Sequence, residues 1–542
     1  MNVKKASFDR MIERLISIVD AEHVLCDPDS CSFYSQDIFT KSHSASAVVR
    51  PCNIEALSAV VKTVVDAGYQ AIPRGAGTSY SDSFVPQSAG AVIIDMQRMN
   101  RVLEINTDDM YVTVECGCTW SDLYAALKES GYRTAYWGTL SGSRATIGGG
   151  LSQNSIFWGS GIHGTAADNV IGLQVVLADG SIIKTGSGAQ TNSTPFFRHF
   201  GPDLTGLFTG DSGAFGFKAV ASFRLIKQYE GRQYCAFDFK SAGGALATMS
   251  EVSRRGLATE CFGFDPFLQS QRLKRESVGQ DAKSLSAVMN SAGSLIQSLK
   301  DGAQLAIAGR QYMDDVDYSV QMIVEDYHQK GANVKANEII SIAGSFGGKE
   351  IANSIPKVMR ANPFGPLNSV LGPTGERWAP VHALVSHSKA QAMYQSILDL
   401  LSIHKTKLEE ARIEIGFLFN TVASNCFVIE PVFFWPDAST EIHKDMIEPN
   451  HFARLTQYPE DLETRELVSN VRKKLANLFH DSGAVHFQIG KMYQYADAIP
   501  SESLELIMAI KRAVDPLNLI NPAALGLPSN SSQKDQAADK YD

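Results

Sequence analysis

The sequence predicts an α+β protein made of two consecutive domains. The first observation is length, because 542 residues exceed the size of one ordinary domain. The second is that amphipathic helical patterns alternate with period-two and continuous apolar runs up to about residue 227. The third is a change in composition after about residue 230, where helical segments rich in Ala, Ser, Lys and Glu alternate with strand-like runs. A first α+β domain followed by a second accounts for all three.

Composition and charge exclude several classes of protein. A hydrophobic content of 44% and a charged content of 20% are typical of a soluble globular chain. The formal net charge of −9, with no basic block, argues against a nucleic-acid partner. No apolar run reaches the ~18 residues of a membrane span, and the N-terminus lacks the apolar core of a secretory signal. The eight cysteines are scattered without zinc-ligand spacing, so we expect a reduced, cytoplasmic protein.

In the first domain, periodicity and capping residues define the elements. Asn53 is a suitable N-cap with Glu55 in the first turn, so a helix is predicted from Asn53 to Ala67. The turn signal Ala178-Asp179-Gly180 separates two strand-like runs and predicts a hairpin. The remaining predictions are a helix over 5–25, a helix from Thr119 or Ser121 to Ser130, and strands over 47–51, 91–95, 101–105, 111–115, 170–177, 181–185 and 217–225.

The second domain is predicted as recurring strand–helix–strand units. Helices are expected over 284–300, 316–328 and 388–404, strands over 303–308 and 414–418, and a long irregular stretch over 341–380. Two further helices are predicted within 460–526. The final residues are rich in Ser, Gln, Lys and Asp, which is typical of a disordered tail.

A glycine-rich turn follows the strand-like run Ala71-Ile72 and reads Pro73-Arg74-Gly75-Ala76-Gly77-Thr78-Ser79. Glycine lets the backbone approach a phosphate closely and tolerates positive φ, so the turn is a candidate diphosphate cradle. Its spacing is neither that of a Walker loop nor that of a dinucleotide fingerprint. Three more glycine-rich segments follow, over 138–150, 159–165 and 210–217. Four such loops in one domain indicate an extended polar cofactor.

In this order the loops resemble the vanillyl-alcohol oxidase / p-cresol methylhydroxylase (PCMH) family of FAD-dependent oxidoreductases. The family's pyrophosphate loop has its counterpart in PRGAGTS, its second flavin-contacting loop in ATIGGGLSQN, and the next two in segments that begin at His163 and Gly201. The family's ending, which returns to the FAD domain, has its counterpart in KRAVDPLNLINP. The resemblance implies a PCMH-type FAD-binding domain over 1–227, a cap over 228–494, a return over 495–527 and a tail over 528–542.

The same resemblance implies which residues contact FAD. They are Pro73, Arg74, Gly75, Ala76, Gly77, Thr78, Ser79, Thr139, Leu140, Ser141, Thr146, Gly148, Gly149, His163, Gly164, Thr165, Asn169, Val170, Gly213, Gly216, Phe217 and Asn521. Thr78 stands where one branch carries a flavin-linking histidine, and the position of another branch's linking histidine falls near Cys426-Phe427. FAD is therefore expected to be held without a covalent bond.

Two branches of the family compete. The first domain most resembles the D-lactate/glycolate dehydrogenases, whose cap holds a divalent metal through a segment with two histidines. Here that segment, over 419–427, has no histidine or carboxylate, so no metal is expected. The cap resembles the phenolic-alcohol branch over 309–313, 377–381 and 428–435. However, His486-Phe487 stands where that branch has a phenolate-binding tyrosine and arginine, and Thr165 stands where it has an aspartate beside the flavin.

The chemistry that remains is oxidation of a carbinol, in which the flavin takes a hydride and a base takes the hydroxyl proton. Histidine suits the base, and His486 is the first choice, on a predicted strand whose one face carries His486, Gln488 and Gly490. His163 is the second candidate base. An aromatic cluster near 427–435 suggests an aromatic substrate. The predicted substrate pocket consists of Arg310, Tyr312, Trp378, His382, Phe427, Glu430 and Phe434.

The sequence thus predicts an FAD-dependent oxidoreductase for a small, aromatic alcohol. One alternative is an FAD-dependent 2-hydroxy acid dehydrogenase, and another is a flavin-binding protein without catalysis. The electron acceptor is either oxygen or a carrier protein, between which the sequence does not choose. Large capped flavoenzymes of this kind often dimerise, so a homodimer is compatible with the resemblance.

Overall fold

The computed structural model describes residues 2–275 and 316–529, which fall into two compact units. The first unit comprises Met1–Ser155, Ala166–Lys227 and Phe487–Asp542, and the second comprises Ile156–Thr165 and Gln228–His486. In this division the C-terminal return begins at Phe487, and the short segment 156–165 joins the second unit. The helix predicted over 284–300, the strand over 303–308 and the tail beyond Ser529 lie outside the described residues.

The first sheet of the first unit has the order β1-β2-β4-β3, in which β2, β4 and β3 are parallel and β1 is antiparallel to β2. Its strands are β1 (Val24–Leu25), β2 (Ala47–Val49), β3 (Gln70–Arg74) and β4 (Ala91–Asp95). Helices α1 (Asn2–Val19) and α3 (Ile54–Asp66) share a hydrophobic core with it. The predicted N-cap is confirmed, because Asn53 Oδ1 accepts a hydrogen bond from Ala56 N at 2.8 Å.

The second sheet of the first unit is antiparallel throughout, with the order β5-β6-β10-β8-β9 and with β7 paired to β10. The strand predictions for this region are confirmed within a few residues. The strands are β5 (Val102–Asn106), β6 (Tyr111–Glu115), β7 (Tyr132–Thr134), β8 (Val170–Val176), β9 (Ile182–Lys184) and β10 (Phe217–Lys227). The remaining helices of this unit are α2 (Pro28–Tyr34), α4 (Trp120–Lys128), α5 (Ile147–Ser152), α7 (Ala166–Asn169), α8 (Leu204–Leu207) and α18 (Ser501–Val514).

The second unit is built on one antiparallel sheet with the order β14-β11-β13-β12-β17-β18-β15, and β16 pairs with β18. Its strands are β11 (Gly231–Phe239), β12 (Glu260–Phe264), β13 (Tyr318–Asp326), β14 (Lys349–Glu350), β15 (Arg377–Pro380), β16 (Ala383–Val385), β17 (Glu414–Val422) and β18 (Cys426–Trp435). Its helices are α6 (Ser160–His163), α9 (Ala242–Arg254), α10 (Pro266–Arg275), α11 (Gln329–Ser345), α12 (Ser354–Ala361), α13 (Ala390–Ile403), α14 (Lys405–Glu410), α15 (Glu441–Met446), α16 (Pro449–Phe452) and α17 (Leu462–Asp481). Among the described residues, no helix combines the length and apolar character needed to cross a bilayer.

Three sequence-based predictions in the second half of the chain are wrong. The helix predicted over 316–328 is strand β13, whose buried run Val320–Val324 is covered on both faces and so lacks period-two alternation. The stretch 341–380, predicted as irregular, contains the end of α11 together with β14, α12 and β15. The strand predicted around His486 is a turn with one bridge, between Val485 and Leu384. Gln488 there has φ +52°, so His486, Gln488 and Gly490 do not share a strand face.

The strand register assigns the side chains of the large sheet to two faces. Helices α9 and α13 cover one face, where Met249 of α9 lies against Gly263 and the ring of Tyr394 in α13 packs on Phe417 and Phe419. The other face carries the alternate residues, because directly opposed residues of antiparallel strands point the same way. We call it the Gln321 face, and it comprises Ser319 and Gln321 of β13, Phe262 and Phe264 of β12, Leu418 and Asn420 of β17, and Glu430 and Phe434 of β18.

Candidate cofactor and substrate sites

The loop predicted as a diphosphate cradle follows β3, and its backbone N–H groups are not used by the described residues. Within the described residues, no hydrogen bond engages the N–H groups of Gly75, Ala76, Gly77, Thr78 or Ser79. The loop is nevertheless largely buried, and Gly77 adopts φ +77°. More than nine in ten buried backbone N–H groups in proteins are paired, so five consecutive free donors call for an external acceptor. The geometry fits the predicted diphosphate.

A second glycine-rich segment packs directly on this loop. Thr146 is the N-cap of α5, and its Oγ1 accepts a hydrogen bond from Gly149 N at 3.2 Å. A Cβ atom at Gly75 would lie well inside contact distance of the same Oγ1 atom. The N–H group of Gly148 is already engaged by Cys116 O at 2.7 Å. The absence of a side chain at Gly75 is therefore what allows the two loops to touch.

The loop that contains Thr139, Leu140 and Ser141 has the same feature as the cradle, namely backbone N–H groups that the described residues do not use. Across the described part of the chain, the N–H groups of Thr139, Leu140 and Ser141 make no hydrogen bond. The loop is held instead through its carbonyls, since Gly142 N donates to Thr139 O at 2.9 Å and Ala145 N donates to Ser141 O at 2.8 Å. These three residues are thus available to a polar ligand, as predicted for FAD contacts.

Asn521 joins three segments that are distant in sequence. Its Nδ2 group donates to Ser83 O at 2.8 Å and to Ser212 O at 2.7 Å, and its N–H donates to Ala71 O at 3.1 Å. Its Oδ1 atom is buried and has no hydrogen-bond partner among the described residues. Gly213 belongs to the same place, because a Cβ there would lie 2.7 Å from Pro73 Cγ. A ligand with a donor group would satisfy Asn521 Oδ1.

The other predicted FAD residues of the first unit have structural partners. The guanidinium of Arg74 lies 4.6 Å from the centre of the Tyr34 ring, and its Nη1 donates to Gly75 O at 3.2 Å, so this side chain braces the loop. Asn169 Oδ1 accepts from Tyr136 N at 3.1 Å. Phe217 lies in the hydrophobic core. Gly216, just before it, packs on Val175, and Val170 begins β8. Contacts of these five residues with FAD remain predictions.

His163, Gly164 and Thr165 belong to the second unit, on and just after α6. His163 Nε2 lies 3.3 Å from the hydroxyl of Tyr229, and Gly164 adopts φ +78°. The roles predicted for these three residues likewise stay predictions.

Two residues of the first unit, Gln153 and Lys491, were not predicted from the sequence. Gln153 donates weakly from Nε2 to Ser79 Oγ at 3.5 Å, its carbonyl accepts from Gln488 N at 2.7 Å, and its Oε1 is buried without a partner in the described structure. Gln153 lies inside the segment ATIGGGLSQN that the resemblance had already marked, so a signal for it existed. No comparable signal marked Lys491, because burial cannot be read from a lone lysine.

Lys491 contacts the residues that follow the cradle in the chain. Its Nζ donates to Val85 O at 2.8 Å, and its N–H donates to Ser81 O at 2.9 Å. Asp37 lies in the same cluster and accepts from Thr40 N at 2.6 Å and from Asp82 N at 2.9 Å. Burial lowers the pKa of Lys491 to about 7 and raises the pKa of Asp37 to about 7. The cluster holds the turn that follows Ser79.

In the second unit, the candidate base His486 is fixed by the backbone of another predicted residue. Its Nδ1 lies 2.8 Å from His382 O, and since a carbonyl only accepts, Nδ1 carries the proton. The opposite ring nitrogen, Nε2, then holds the lone pair. Burial lowers the pKa of His486 to about 4, so the ring is neutral near pH 7. Gln488, predicted beside it, lies in the first unit.

The predicted substrate pocket is divided between the faces of the sheet. Glu430 and Phe434 lie on the Gln321 face, and Trp378, which opposes Phe434, points the same way. Phe427 lies on the helix-covered face, with its ring 6.2 Å from the ring of His387, so it cannot share a pocket with them. That prediction is wrong, because one strand with period two sends residues 427 and 434 to opposite sides. Arg310 and Tyr312 lie outside the described residues.

We expect the stability of the folded chain to fall as the pH drops from about 6.5 to about 4 through His486. Its pKa is lower in the folded state than the ~6.5 of an unfolded histidine, so the unfolded chain binds the proton more tightly. The contribution is complete above pH ~6.5 and its loss at pH 4 is about 2 kcal/mol, discounted for partial exposure. His486→Asn keeps a donor for His382 O but cannot titrate. Urea unfolding of both proteins from pH 7 to pH 4 measures the difference, and equal slopes would contradict the prediction.

No group of three or more His, Cys, Asp or Glu side chains with the geometry of a metal site occurs within residues 2–275 and 316–529.

Comparison with known proteins identifies the first unit. Residues 45–186 match the FAD binding domain family. The glycolate oxidase subunit GlcD of Bacillus subtilis is 29% identical over 242 residues, which are 44% of this chain and 50% of that protein. A mitochondrial D-lactate dehydrogenase (cytochrome) of Arabidopsis thaliana is 32% identical over 260 residues, 46% of this chain and 44% of that protein. The chain thus spans about half the length of these relatives.

Solved structures match over nearly the whole chain. Substrate-bound p-cresol methylhydroxylase superposes with a TM-score of 0.71 at 17% identity, covering 96% of this chain and 97% of that one. The 4-ethylphenol oxidase of Gulosibacter chungangensis, in an isoeugenol complex, gives 0.70 at 16% identity, covering 97% and 98%. At such identities the likeness establishes the fold alone. The predicted PCMH-type α+β fold and the FAD cofactor are confirmed.

Proposed function

We propose that this chain, which contains a PCMH-type FAD-binding domain, is an FAD-dependent oxidoreductase that oxidises the hydroxyl group of a small, aromatic alcohol. The observation that supports the cofactor is that the five N–H groups from Gly75 to Ser79 make no hydrogen bond to any residue the structure describes. Successive backbone N–H groups of this kind form an anion-binding concavity, which suits a diphosphate. When bound, FAD accepts the hydride equivalent that leaves the carbinol carbon.

The chain's own contribution to the reaction is the handling of the hydroxyl proton. His486 suits this task because its Nδ1 proton is committed to His382 O, which fixes the ring orientation and the tautomer in which Nε2 carries the lone pair. Its lowered pKa keeps that acceptor unprotonated at neutral pH. We assign Gln488 a positioning role, since its N–H donates to Gln153 O, next to the cradle.

Replacing His486 by asparagine is expected to slow flavin reduction by the best alcohol at least 100-fold, because a positioned base contributes about 10²–10⁴ in rate. Asparagine can still donate to His382 O, so the local structure is retained. The rate is measured anaerobically by stopped flow as loss of oxidised flavin absorbance. His404→Asn, which changes a histidine bonded to Lys474, is the control and should leave the rate unchanged. An unchanged rate in His486→Asn would exclude the base role.

We further propose that FAD is held without a covalent bond. Thr78 has no side-chain atom that links to flavin, and burial raises the pKa of the Cys426 thiol to about 11, which keeps it protonated and unreactive. Acid precipitation should release all the flavin into the supernatant.

A 2-hydroxy acid dehydrogenase is the second candidate function, favoured by the names of the sequence relatives from Bacillus and Arabidopsis. An anaerobic screen separates the candidates. Aromatic alcohols should bleach the flavin of the purified protein while D-lactate and glycolate do not, and the reverse result would establish the second candidate. Bleaching by none of them would leave a flavin-binding protein without this catalysis.

A further inference from the structure

Gln321 is a fully buried amide on the large sheet, and neither of its polar atoms is used. It lies in the middle of β13, between Ala236 of β11 and Phe262 of β12. Its exposed fraction is 0%, and neither Oε1 nor Nε2 has a hydrogen-bond partner within the described structure. Buried side-chain amides are almost always paired, so an acceptor and a donor left open side by side call for a ligand.

The residue opposite Gln321 on β12 is aromatic, and the carboxylate of Glu260 on the same face accepts from Gly159 N and Thr259 Oγ1, both at 2.7 Å. Phe262 lies between Gln321 and Asn420 on the same face, and two strand spacings separate these amides by about 10 Å. The Nδ2 group of Asn420 makes no hydrogen bond to any described residue, while its Oδ1 accepts from Thr421 N at 2.8 Å. Across from the sheet, the ring of Phe157 lies 5.6 Å from the ring of Phe262.

Phe157 adds an independent sign of function. Its φ of +149° lies in a region that side chains rarely adopt, and such strain persists where the surrounding structure imposes it, commonly at ligand sites. The conformation is held by Ser160, whose Oγ accepts from Phe157 N at 3.0 Å and whose N–H donates to Phe157 O at 3.0 Å. The strained residue therefore presents its ring to the same stretch of sheet that carries Gln321.

One cluster of charged groups on this side of the sheet is compensated locally. Arg232 and Arg360 both donate to Glu325 Oε1, at 3.0 Å each. Gln321 is itself neutral at every pH, so its partner needs no charge. A carboxamide or lactam satisfies both atoms at once, because its edge presents a donor next to an acceptor, whereas an ester has no donor.

We propose that Gln321 determines substrate specificity by pairing with a carboxamide or lactam group on an aromatic alcohol whose ring packs against Phe262 and Phe157. This rests on the proposed function, and it names the substrate class for that reaction. The two hydrogen bonds form between Gln321 Oε1 and the ligand N–H and between Gln321 Nε2 and the ligand carbonyl. A ligand lacking either group leaves a buried polar atom unpaired and binds more weakly.

The test compares three probes that differ at one ring position: 4-(hydroxymethyl)benzamide, methyl 4-(hydroxymethyl)benzoate and benzyl alcohol. Binding to the full-length holoenzyme is measured by calorimetry under anaerobic conditions. The benzamide should bind at least tenfold more tightly than the other two. In Gln321→Met, which keeps the volume but removes both polar atoms, this preference should disappear.

The matched control is Thr248→Val, which removes an equally buried, unpartnered polar atom from α9 on the helix-covered side. Both variants should retain the wild-type melting temperature or exceed it, since each removes an unpaired buried group. Thr248→Val should keep the preference for the benzamide. An equal preference in wild type and Gln321→Met, or no measurable binding of the benzamide to wild type, would overturn the assignment.

Failure of this inference is distinguishable from failure of the proposed function. Flavin bleached by aromatic alcohols without any preference for the benzamide would overturn the role of Gln321 alone. Preferential binding of the benzamide that depends on Gln321, with no bleaching, would support the site and refute the alcohol oxidation.

Discussion

Replacing Lys511 by methionine is expected to lower the free energy of unfolding by about 3–5 kcal/mol, the cost of removing one partner from a buried ion pair. Lys511 lies on α18 and is 3% exposed. Its Nζ donates to Asp515 Oδ2 at 2.6 Å, Ala214 O at 2.6 Å and Ile520 O at 2.8 Å, so all three of its protons are used. Methionine would leave Asp515 buried with a negative charge and two carbonyls unpaired.

The same change is expected to lower FAD occupancy. Lys511 holds the backbone on either side of the candidate site, since Ala214 follows Gly213 and Ile520 precedes Asn521. Urea unfolding measures the stability, and the ratio of flavin to protein absorbance measures the occupancy.

Arg512→Met is the matched control for this prediction. It removes an exposed cation from the next position of the same helix and should change stability by less than about 0.5 kcal/mol. A loss below about 1 kcal/mol for Lys511→Met would contradict the role assigned to the buried lysine.

The second large effect is expected for Gly75→Ala, which should weaken FAD binding at least tenfold. The new Cβ atom would collide with Thr146 Oγ1, and that oxygen cannot simply rotate away because it caps α5 through Gly149 N. The cradle must then move, which disturbs N–H groups that would each donate a charge-assisted hydrogen bond worth about 1.5–3 kcal/mol to the diphosphate. Each 1.4 kcal/mol lost is about tenfold in affinity.

FAD affinity is measured by titrating the apoprotein with FAD and following flavin fluorescence. Gly344→Ala serves as the control, because Gly344 lies on α11 with open space around its Cβ position and without a positive φ. That variant should bind FAD like the wild type. Normal affinity in Gly75→Ala would show that the two loops are not in close contact around the cofactor.

Much of the first unit could be predicted because its signals are local. Asn53 caps a helix through its own side chain, and Ala178-Asp179-Gly180 is a turn by composition, so neither depends on distant residues. Predictions for the second unit were wrong where burial removed the alternation of polar and apolar residues. Strand β13 is covered on both faces, which erases its alternation, and its run of apolar residues was taken for a helix.

The candidate sites could likewise be predicted from the sequence only in part. Glycine-rich loops in a recognisable order marked the cradle and the FAD-binding domain, because closely approaching backbone requires glycine in the sequence itself. Phe427 and Phe434 were placed in one pocket because the aromatic residues of 427–435 were treated as one cluster, whereas the alternation along β18 sends these two to opposite faces. Nor could the sequence show that Gln488 and His486 do not share a strand face, because the backbone turn at Gln488, with φ +52°, depends on the folded chain.

By itself the sequence determined the α+β class, the first-domain elements and the FAD-binding loops, since each depends on residue types within a short window. Only the tertiary structure decided which polar groups lack a partner, because pairing is a property of residues that are distant in the chain and adjacent in space. The structure thus showed that, within residues 2–275 and 316–529, the N–H groups of residues 75–79, the Oδ1 atom of Asn521 and the amide of Gln321 have no hydrogen-bond partner. Burial, which makes an unpaired polar group costly, is likewise set by the whole fold.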